Sequence, residues 1–147
     1  MQVLSKQVKK HSREVKTSDM KRVKKEGKEM VELCKKPLGM YPCAMALAHC
    51  QVDHTDPLRF FALRDGRIIV NPVIETARDF ARDTEGCYSY PFRSEVSMKR
   101  WKTIKVSYTE IDQKGKKYEI KDVEITGIIA RIFQHEIDHM DGLAIYF

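Results

Sequence analysis

The sequence predicts an α+β fold in which antiparallel strands surround a central helix near the C-terminus, with a second helix near the N-terminus. Apolar residues recur at steps of three and four residues close to both ends of the chain, as on one face of an α-helix. Between these regions, residues 102–111 alternate apolar with polar side chains, as in a half-buried strand. Two helices flanking a group of strands are typical of this class.

The N-terminal helix is expected to begin at Ser18 or Asp19, either of which can cap it, and to end near Lys36, just before Pro37. Gly27 falls within its apolar stripe, where it costs about 1 kcal/mol relative to alanine. We therefore expect another element to pack closely against this glycine. The stripe consists of Met20, Val23, Met30, Val31 and Cys34.

The strands are expected in two hairpins. Residues 59–63 and 67–70 read as strands joined by a turn at Asp65-Gly66. The strand at residues 102–111 turns at Lys114-Gly115 into another that runs through Val123. The polar residues 75–83 between the hairpins are predicted to form a loop.

The length of 147 residues fits one core. We expect a basic, loosely ordered segment at residues 1–17 and a single catalytic domain at residues 18–147. No apolar run approaches the roughly 20 residues that a bilayer span needs, and the N-terminus has no apolar signal core. A cytoplasmic protein with no membrane partner and no specific nucleic-acid partner is expected.

The net charge of +6 lies at the N-terminus, where residues 1–36 hold twelve Lys or Arg and five Asp or Glu. Two interpretations stay open: a solvated helix face, or a segment attracted to the ribosome through its RNA. The four cysteines do not form a C-x-x-C pair and are expected to be reduced. Cys34 is expected in the core, while Cys43 and Cys50 lie close in sequence to a candidate site.

The stretch QHEIDH at residues 134–139 contains candidate metal ligands and a candidate general base. Residues four apart share a helix face, so His135 and His139 can offer two imidazole nitrogens to one cation. Glu136 stands beside them, where it can act as a general base. The pattern is typical of metal hydrolases, although two histidines also occur by chance on amphipathic helices.

A catalytic metal usually has three protein ligands, so a third ligand is needed. Only eight residues follow His139, which points to a ligand upstream. Asp138 is adjacent in sequence, but neighbouring residues on a helix point in different directions. The stretch EGCYS at residues 85–89 stands out because Gly86 allows a tight backbone and Cys87 offers a thiolate.

These two stretches resemble the second and third signatures of peptide deformylase, E-G-C-apolar-S and Q-H-E-x-D-H-apolar-x-G. The resemblance runs from about Ser18 to the C-terminus. The first signature, G-apolar-G-apolar-A-A-x-Q, corresponds to AMALAHCQ at residues 44–51. There, Ala44 and Ala46 replace both glycines and His49 replaces an alanine. Deformylases usually continue past the last glycine into a further element, so the chain resembles a divergent or minimal form.

The resemblance implies hydrolysis of the formyl group from N-formylmethionyl peptides or nascent proteins, with release of formate. It implies that Cys87, His135 and His139 bind the metal and that Glu136 moves protons. The metal is expected to be ferrous iron in the cell, with zinc, nickel or cobalt as substitutes. Gln51 and the backbone N–H of Tyr88 would hold the developing oxyanion.

Met45, Ile128 and Ile132 are expected to line a pocket for the methionine side chain, or simply to pack in the core. His49 could perturb the site, add a ligand, or be a hydrogen-bonded and partly buried side chain. Ala44 and Ala46 disfavour positive φ and close substrate approach, so substrate preference is expected to differ.

Two alternatives stay open. One is a weak or inactive deformylase-like protein that binds the metal and has an altered substrate preference. The other is a zinc endopeptidase, which rests on H-E-x-x-H alone.

Overall fold

A computed structural model describes residues 1–4 and 11–143 of the chain. It contains one antiparallel sheet with the strand order β1-β2-β3-β4-β5, and the last helix follows the last strand. The predicted α+β class is confirmed. The elements are α1 (Met20–Cys34), β1 (Ala46–Ala48), β2 (Phe60–Leu63), β3 (Ile68–Glu85), β4 (Val96–Ile111), β5 (Lys117–Thr126) and α2 (Gly127–Met140), with short 3₁₀ turns at Thr17–Asp19 and His49–Gln51.

The hairpin of β2 and β3 is buried between the two helices. Alternate side chains of a strand point to opposite faces, so β2 contributes to two cores. Phe60 packs in one core with Val23 and Met30 of α1. Phe61 packs in the other with Phe133 and Ile137 of α2. The strands therefore set the spacing between α1 and α2.

Helix α1 confirms the predicted apolar stripe. Val23, Gly27, Met30, Val31 and Cys34 are its buried residues. A Cβ added at Gly27 would overlap the side chain of Ile68 on β3, with its Cγ1 only 3.0 Å away. The expected close packing at this glycine is thus confirmed.

The opposite face of α1 is basic. Lys21, Lys24, Lys25 and Lys28 are all exposed there, which agrees with both interpretations of the N-terminal charge. Neither α1 nor α2 is long and apolar enough to cross a membrane, and the same holds for any other helix in residues 1–4 and 11–143.

Both predicted hairpin turns are confirmed. The N–H of Gly66 donates to Leu63 O at 3.0 Å, and this glycine has a φ of 106°, which residues with a side chain rarely adopt. The N–H of Gly115 donates to Asp112 O at 2.9 Å and closes the turn between β4 and β5.

The predicted loop at residues 75–83 is wrong, because β3 runs without a break from Ile68 to Glu85 and pairs with β4 throughout. A register shift between Ile74 and Thr76, together with a φ of 57° at Asp79, interrupts the two-residue alternation that marks a strand in sequence. Most side chains of this half are exposed, so apolar residues do not mark it either.

Residues 5–10 of the expected loose N-terminal segment lie outside the described residues. Residues 11–16, however, pack on the domain rather than standing apart from it. The N–H of Ser12 donates to Met140 O at 2.7 Å, and that of Arg13 donates to Pro57 O at 2.8 Å. Asn71 binds both backbone groups of Val15, accepting at 2.8 Å and donating at 2.9 Å. These hydrogen bonds are made by backbone groups of the segment. Its lysine-rich side chains therefore give no sign of them in the sequence.

We predict that Gly27→Ala destabilises the protein even though alanine favours a helix by about 1 kcal/mol. The new methyl group overlaps Ile68, and overpacking a core typically costs about 1–3 kcal/mol. Urea denaturation of Gly27→Ala, Ile68→Val and the double variant measures the effect. Because Ile68→Val removes the overlapping Cδ1, Gly27→Ala should be neutral or stabilising in that background. If Gly27→Ala changes the free energy of unfolding equally in both backgrounds, overlap with Ile68 is not the cause.

Candidate metal and active site

Helix α2 brings two histidines together on one face. His135 Nε2 and His139 Nε2 lie 3.2 Å apart. The helix presents Phe133, Ile137 and Met140 to the core on its other side. Burial of these apolar side chains fixes the rotation of α2 and so fixes the direction in which both imidazoles point.

Cys87 reaches the same point from the segment that follows β3. Its Sγ lies 3.3 Å from His139 Nε2, and the three ligand atoms of Cys87, His135 and His139 lie within 4.8 Å of one another. The backbone at Gly86 passes so close to the Tyr41 ring that an added Cβ would overlap it. A side chain at position 86 would therefore push Cys87 away from the histidines.

The three atoms fit a single divalent ion. Metal–nitrogen bonds of about 2.0–2.1 Å and a metal–sulfur bond of about 2.3 Å in tetrahedral geometry separate the ligand atoms by roughly 3.3–3.6 Å. The distances of 3.2 and 3.3 Å are close to this range. One thiol and two imidazoles are also donor types that transition metals prefer.

Glu85 supports this group from the end of β3. It accepts a hydrogen bond from His135 Nδ1 at 2.9 Å. Arg100 of β4 donates to both of its oxygens, at 3.0 and 2.8 Å, and Arg131 of α2 donates at 2.9 Å. Burial opposes the charge of Glu85, but the bonds from His135 and Arg100 outweigh it and lower its pKa to about 2. The carboxylate therefore stays ionised and holds the His135 ring by its Nδ1 side.

The electrostatics of the group favour a cation. Burial disfavours charge on His135, but its contacts with Cys87 and Glu85 outweigh burial and raise its pKa to about 10. Burial, followed by repulsion from His135, lowers the pKa of His139. One protonated imidazole is thus favoured between Cys87 and Glu85, whereas protonation of both histidines is not.

Glu136 is a buried carboxylate beside this group. It is 4% exposed, and its Oε2 has no hydrogen-bond partner among the described residues. Burial raises its pKa to about 7. A carboxylate with that pKa can both accept and return a proton near neutrality.

An open cavity of about 240 Å³ adjoins these residues. Met45, Ile128 and Ile132 all line it, and Met45 and Ile128 remain 45% and 54% exposed. Cys87, His135 and Glu136 also contribute to its wall. The cavity thus joins an apolar region to the candidate metal-binding group.

Gln51 enters the cavity from the turn at residues 49–51. Its Oε1 accepts from the N–H of Ala48 at 2.9 Å, so its Nε2 is the end that donates into the site. That nitrogen donates to Ser89 Oγ at 3.1 Å and to Cys87 Sγ at 3.6 Å. Tyr88, whose ring also lines the cavity, is fixed by a bond from its hydroxyl to Lys36 O at 2.5 Å.

Two loops form one side of the cavity and are joined to each other. The N–H of Met40 donates to Pro91 O at 2.8 Å, and the Tyr41 hydroxyl donates to Arg93 O at 2.5 Å. The Tyr41 ring itself lines the cavity. The loop before β1 and the loop after Cys87 are therefore connected by one backbone bond and by the Tyr41 side chain.

Other expectations have mixed outcomes. Cys43 lines the cavity and its Sγ accepts a bond from Arg64, whereas Cys50 faces away from it, donating to His139 O at 3.4 Å. Ala44 and Ala46 do not have positive φ, so the alanines fit the backbone here without strain. The sequence did not indicate the roles of Tyr41, Arg100 or Arg131, because arginines on strands or helices and isolated tyrosines usually face solvent.

Comparison with known proteins identifies the family. A family model described as Polypeptide deformylase matches residues 1–146. The chain belongs to the peptide deformylase family. The peptide deformylase of Thermus thermophilus is 35% identical over 79 residues, covering 54% of this chain and 38% of that protein. That of Symbiobacterium thermophilum is 45% identical over 76 residues, covering 51% and 32%.

The matched region thus spans only about a third of these curated deformylases. The fold match is more extensive. The crystal structure of a peptide deformylase from Thermotoga maritima has a TM-score of 0.77 and 28% identity, covering 99% of this chain and 96% of that one. The arrangement of strands around a central helix is therefore that of the deformylases.

We predict that Glu85→Gln destabilises the fold by about 3–5 kcal/mol, because it removes the carboxylate partner of the buried Arg131 and leaves the buried Arg100 paired with Asp138 alone. Urea denaturation measures the change. Glu124→Gln is the matched control, since its partner Arg78 and Glu124 itself are both more than half exposed. Such a surface pair contributes about 0–1 kcal/mol. If Glu85→Gln lowers the free energy of unfolding no more than Glu124→Gln does, the stabilising role assigned to Glu85 is wrong.

Proposed function

We propose that this protein hydrolyses the N-formyl group of N-formylmethionyl peptides and nascent proteins in the cytoplasm, releasing formate. The observation that carries the proposal is the convergence of Cys87, His135 and His139 beside the buried Glu136, in a chain of the deformylase family. The reaction adds water to the formamide carbon and breaks the bond to nitrogen. It yields formate and a free amine.

Cys87, His135 and His139 would hold the metal ion. A bound ion supplies Lewis-acid chemistry, polarising the formyl oxygen and lowering the pKa of water. The family resemblance favours ferrous iron in the cell, with zinc, nickel or cobalt as substitutes, and a set of one sulfur and two nitrogens suits several of these. Glu85 contributes by accepting the Nδ1–H of His135, so that Nε2 is the nitrogen that would bind the metal.

Glu136 would transfer the proton. Its unpartnered Oε2 accepts a proton from the attacking water and later donates it to the leaving nitrogen, so the carboxylate is regenerated at the end of the cycle. Its buried position keeps bulk water from competing for that oxygen. Its pKa of about 7 suits both transfers at neutral pH.

Gln51 and the backbone N–H of Tyr88 would stabilise the negative charge that develops on the formyl oxygen. The bond from Ala48 to the Gln51 Oε1 supports this role, since it turns the amide nitrogen toward Cys87. Removing one donor of this kind typically costs about 10²- to 10³-fold in rate.

The methionine side chain of the substrate would bind against Met45, Ile128 and Ile132. Two of these side chains are about half exposed and would lose water when a substrate covers them. Burying one side chain of this size contributes about 1.5–3 kcal/mol. The three residues would thus favour an apolar side chain next to the formyl group.

We expect Glu136→Gln to reduce kcat for formate release from formyl-Met-Ala-Ser by about 10²- to 10⁴-fold, the usual contribution of a general base. Metal content should not change, because Glu136 is not one of the three ligands. Glu32→Gln, on the exposed face of α1, serves as the control and should keep full activity.

Two outcomes would count against this proposal. Unchanged activity in metal-loaded Glu136→Gln would remove this residue from the mechanism. Wild-type protein that holds its metal yet releases no formate from several formyl peptides would instead favour a deformylase-like binding protein.

Metal binding is tested separately from activity. Cys87→Ser, purified anaerobically, should lose metal affinity by more than the roughly 10- to 100-fold that loss of an outer hydrogen-bond partner costs. Cys43→Ser is the matched control, since this thiol lines the same cavity without joining the ligand group. Metal analysis and competition with a chelator measure both variants. Equal affinities for the two would exclude Cys87 as a ligand.

A further inference from the structure

The 3₁₀ turn at residues 49–51 connects the candidate site to both helices. Its side chains are almost completely buried, with His49 at 0%, Cys50 at 1% and Gln51 at 2% exposed. Gln51 contacts Cys87, and Cys50 donates to the backbone oxygen of His139. His49 points the other way, toward α1. Three successive residues thus reach three separate parts of the fold.

Both ring nitrogens of His49 are engaged. The N–H of Leu58 donates to Nδ1 at 2.9 Å, so the neutral ring carries its proton on Nε2. That N–H donates to Glu26 Oε1 of α1 at 3.1 Å. The ring also stacks on Phe60 with centroids 4.6 Å apart, and burial lowers its pKa, which keeps it neutral. The orientation of His49 is therefore fixed on three sides.

The partner of His49 is itself fixed. Arg22 donates to Glu26 Oε2 at 2.6 Å and to Asp53 Oδ2 at 2.6 Å. Asp53 Oδ1 in turn accepts from the backbone N–H groups of Thr55 and Asp56, at 2.8 and 3.0 Å. A continuous series of ion pairs and hydrogen bonds therefore joins α1 to the loop that follows the turn.

Glu26, His49 and Asp53 also have ligand atoms within 4.8 Å of one another, as a metal site would. Two contacts indicate that these three side chains form a hydrogen-bonded network rather than a metal site. The guanidinium of Arg22 already pairs with both carboxylates. His49 Nε2 carries a proton as long as Nδ1 accepts from Leu58. A cation would have to displace Arg22 and break the Leu58 bond.

We propose that His49 is a positioning residue that acts through the turn on Gln51, and that Glu26 is the anchor it uses. In the signature pattern given above, an alanine stands at this position, and alanine has no nitrogen for either contact. His49 therefore connects α1 to the segment that carries Gln51. This inference rests on the proposed function, because its effect on rate is an effect on deformylation.

Three variants separate the two contacts of His49. Asparagine places an oxygen near the position of Nδ1, where it can accept from Leu58, while glutamine places an amide nitrogen toward Glu26. Alanine keeps neither contact. We expect His49→Ala to lower kcat by up to about 10²-fold, as misplacement of a reacting group can, with little change in KM. His49→Asn and His49→Gln should each recover part of this loss.

A double-mutant cycle tests whether the effect passes through Gln51. If it does, His49→Ala should lower kcat much less in a Gln51→Ala background than in the wild type. Val23→Ala, a cavity-forming change elsewhere on α1, controls for stability and should lower Tm without changing kcat of the folded protein. Multiplicative effects of His49→Ala and Gln51→Ala would overturn the inference.

A spectroscopic measurement keeps this test independent of activity. In ¹⁵N-labelled, zinc-loaded protein, His49→Ala should shift or broaden the side-chain amide signals of Gln51, whereas Val23→Ala should leave them in place. If those signals do not move in His49→Ala, the positioning role is wrong, whatever the activity. If wild-type protein releases no formate but the signals move, the proposed function fails and the positioning role stands.

Discussion

The site depends on one buried carboxylate with several cationic partners. Glu85 closes β3, and its donors come from β4 through Arg100 and from α2 through Arg131 and His135. A buried charge is costly unless it is paired and hydrogen-bonded, so the contacts that stabilise Glu85 also restrict where these elements can lie. Arg100 is balanced in turn by a second acidic group, Asp138 of α2. The same ion pairs therefore join the sheet to the helix and orient one imidazole of the ligand group.

The fold was predictable wherever local chemistry decides the structure. The Asp65-Gly66 turn needs a positive φ that glycine supplies, and the apolar stripe of α1 needs a surface to cover, so both are visible in sequence. The outer half of β3 was not predictable. Its strand pairing depends on β4, which is distant in sequence, and the register shift after Ile74 removes the alternation that would have marked it.

The centre of the site was predictable for a similar reason. The spacing of His135 and His139 is a property of one helix, and the stretch around Cys87 is distinctive by itself. The supporting residues were not predictable, because they act across elements. Nothing in the sequence places Arg100 next to Glu85. Likewise, His49 in sequence was compatible with a ligand or with a buried structural histidine, and only its contacts with Glu26 and Leu58 give its tautomer.

The connection between the two cavity loops has a thermodynamic consequence. Met40 and Tyr41 are hydrogen-bonded to Pro91 and Arg93, so the protein's own contacts order these loops relative to each other. A guest molecule that enters the cavity does not have to immobilise them, which removes one of the entropic penalties of association. More of its contact energy is then available for affinity, and compounds with rigid shapes should benefit more than those that rely on induced fit.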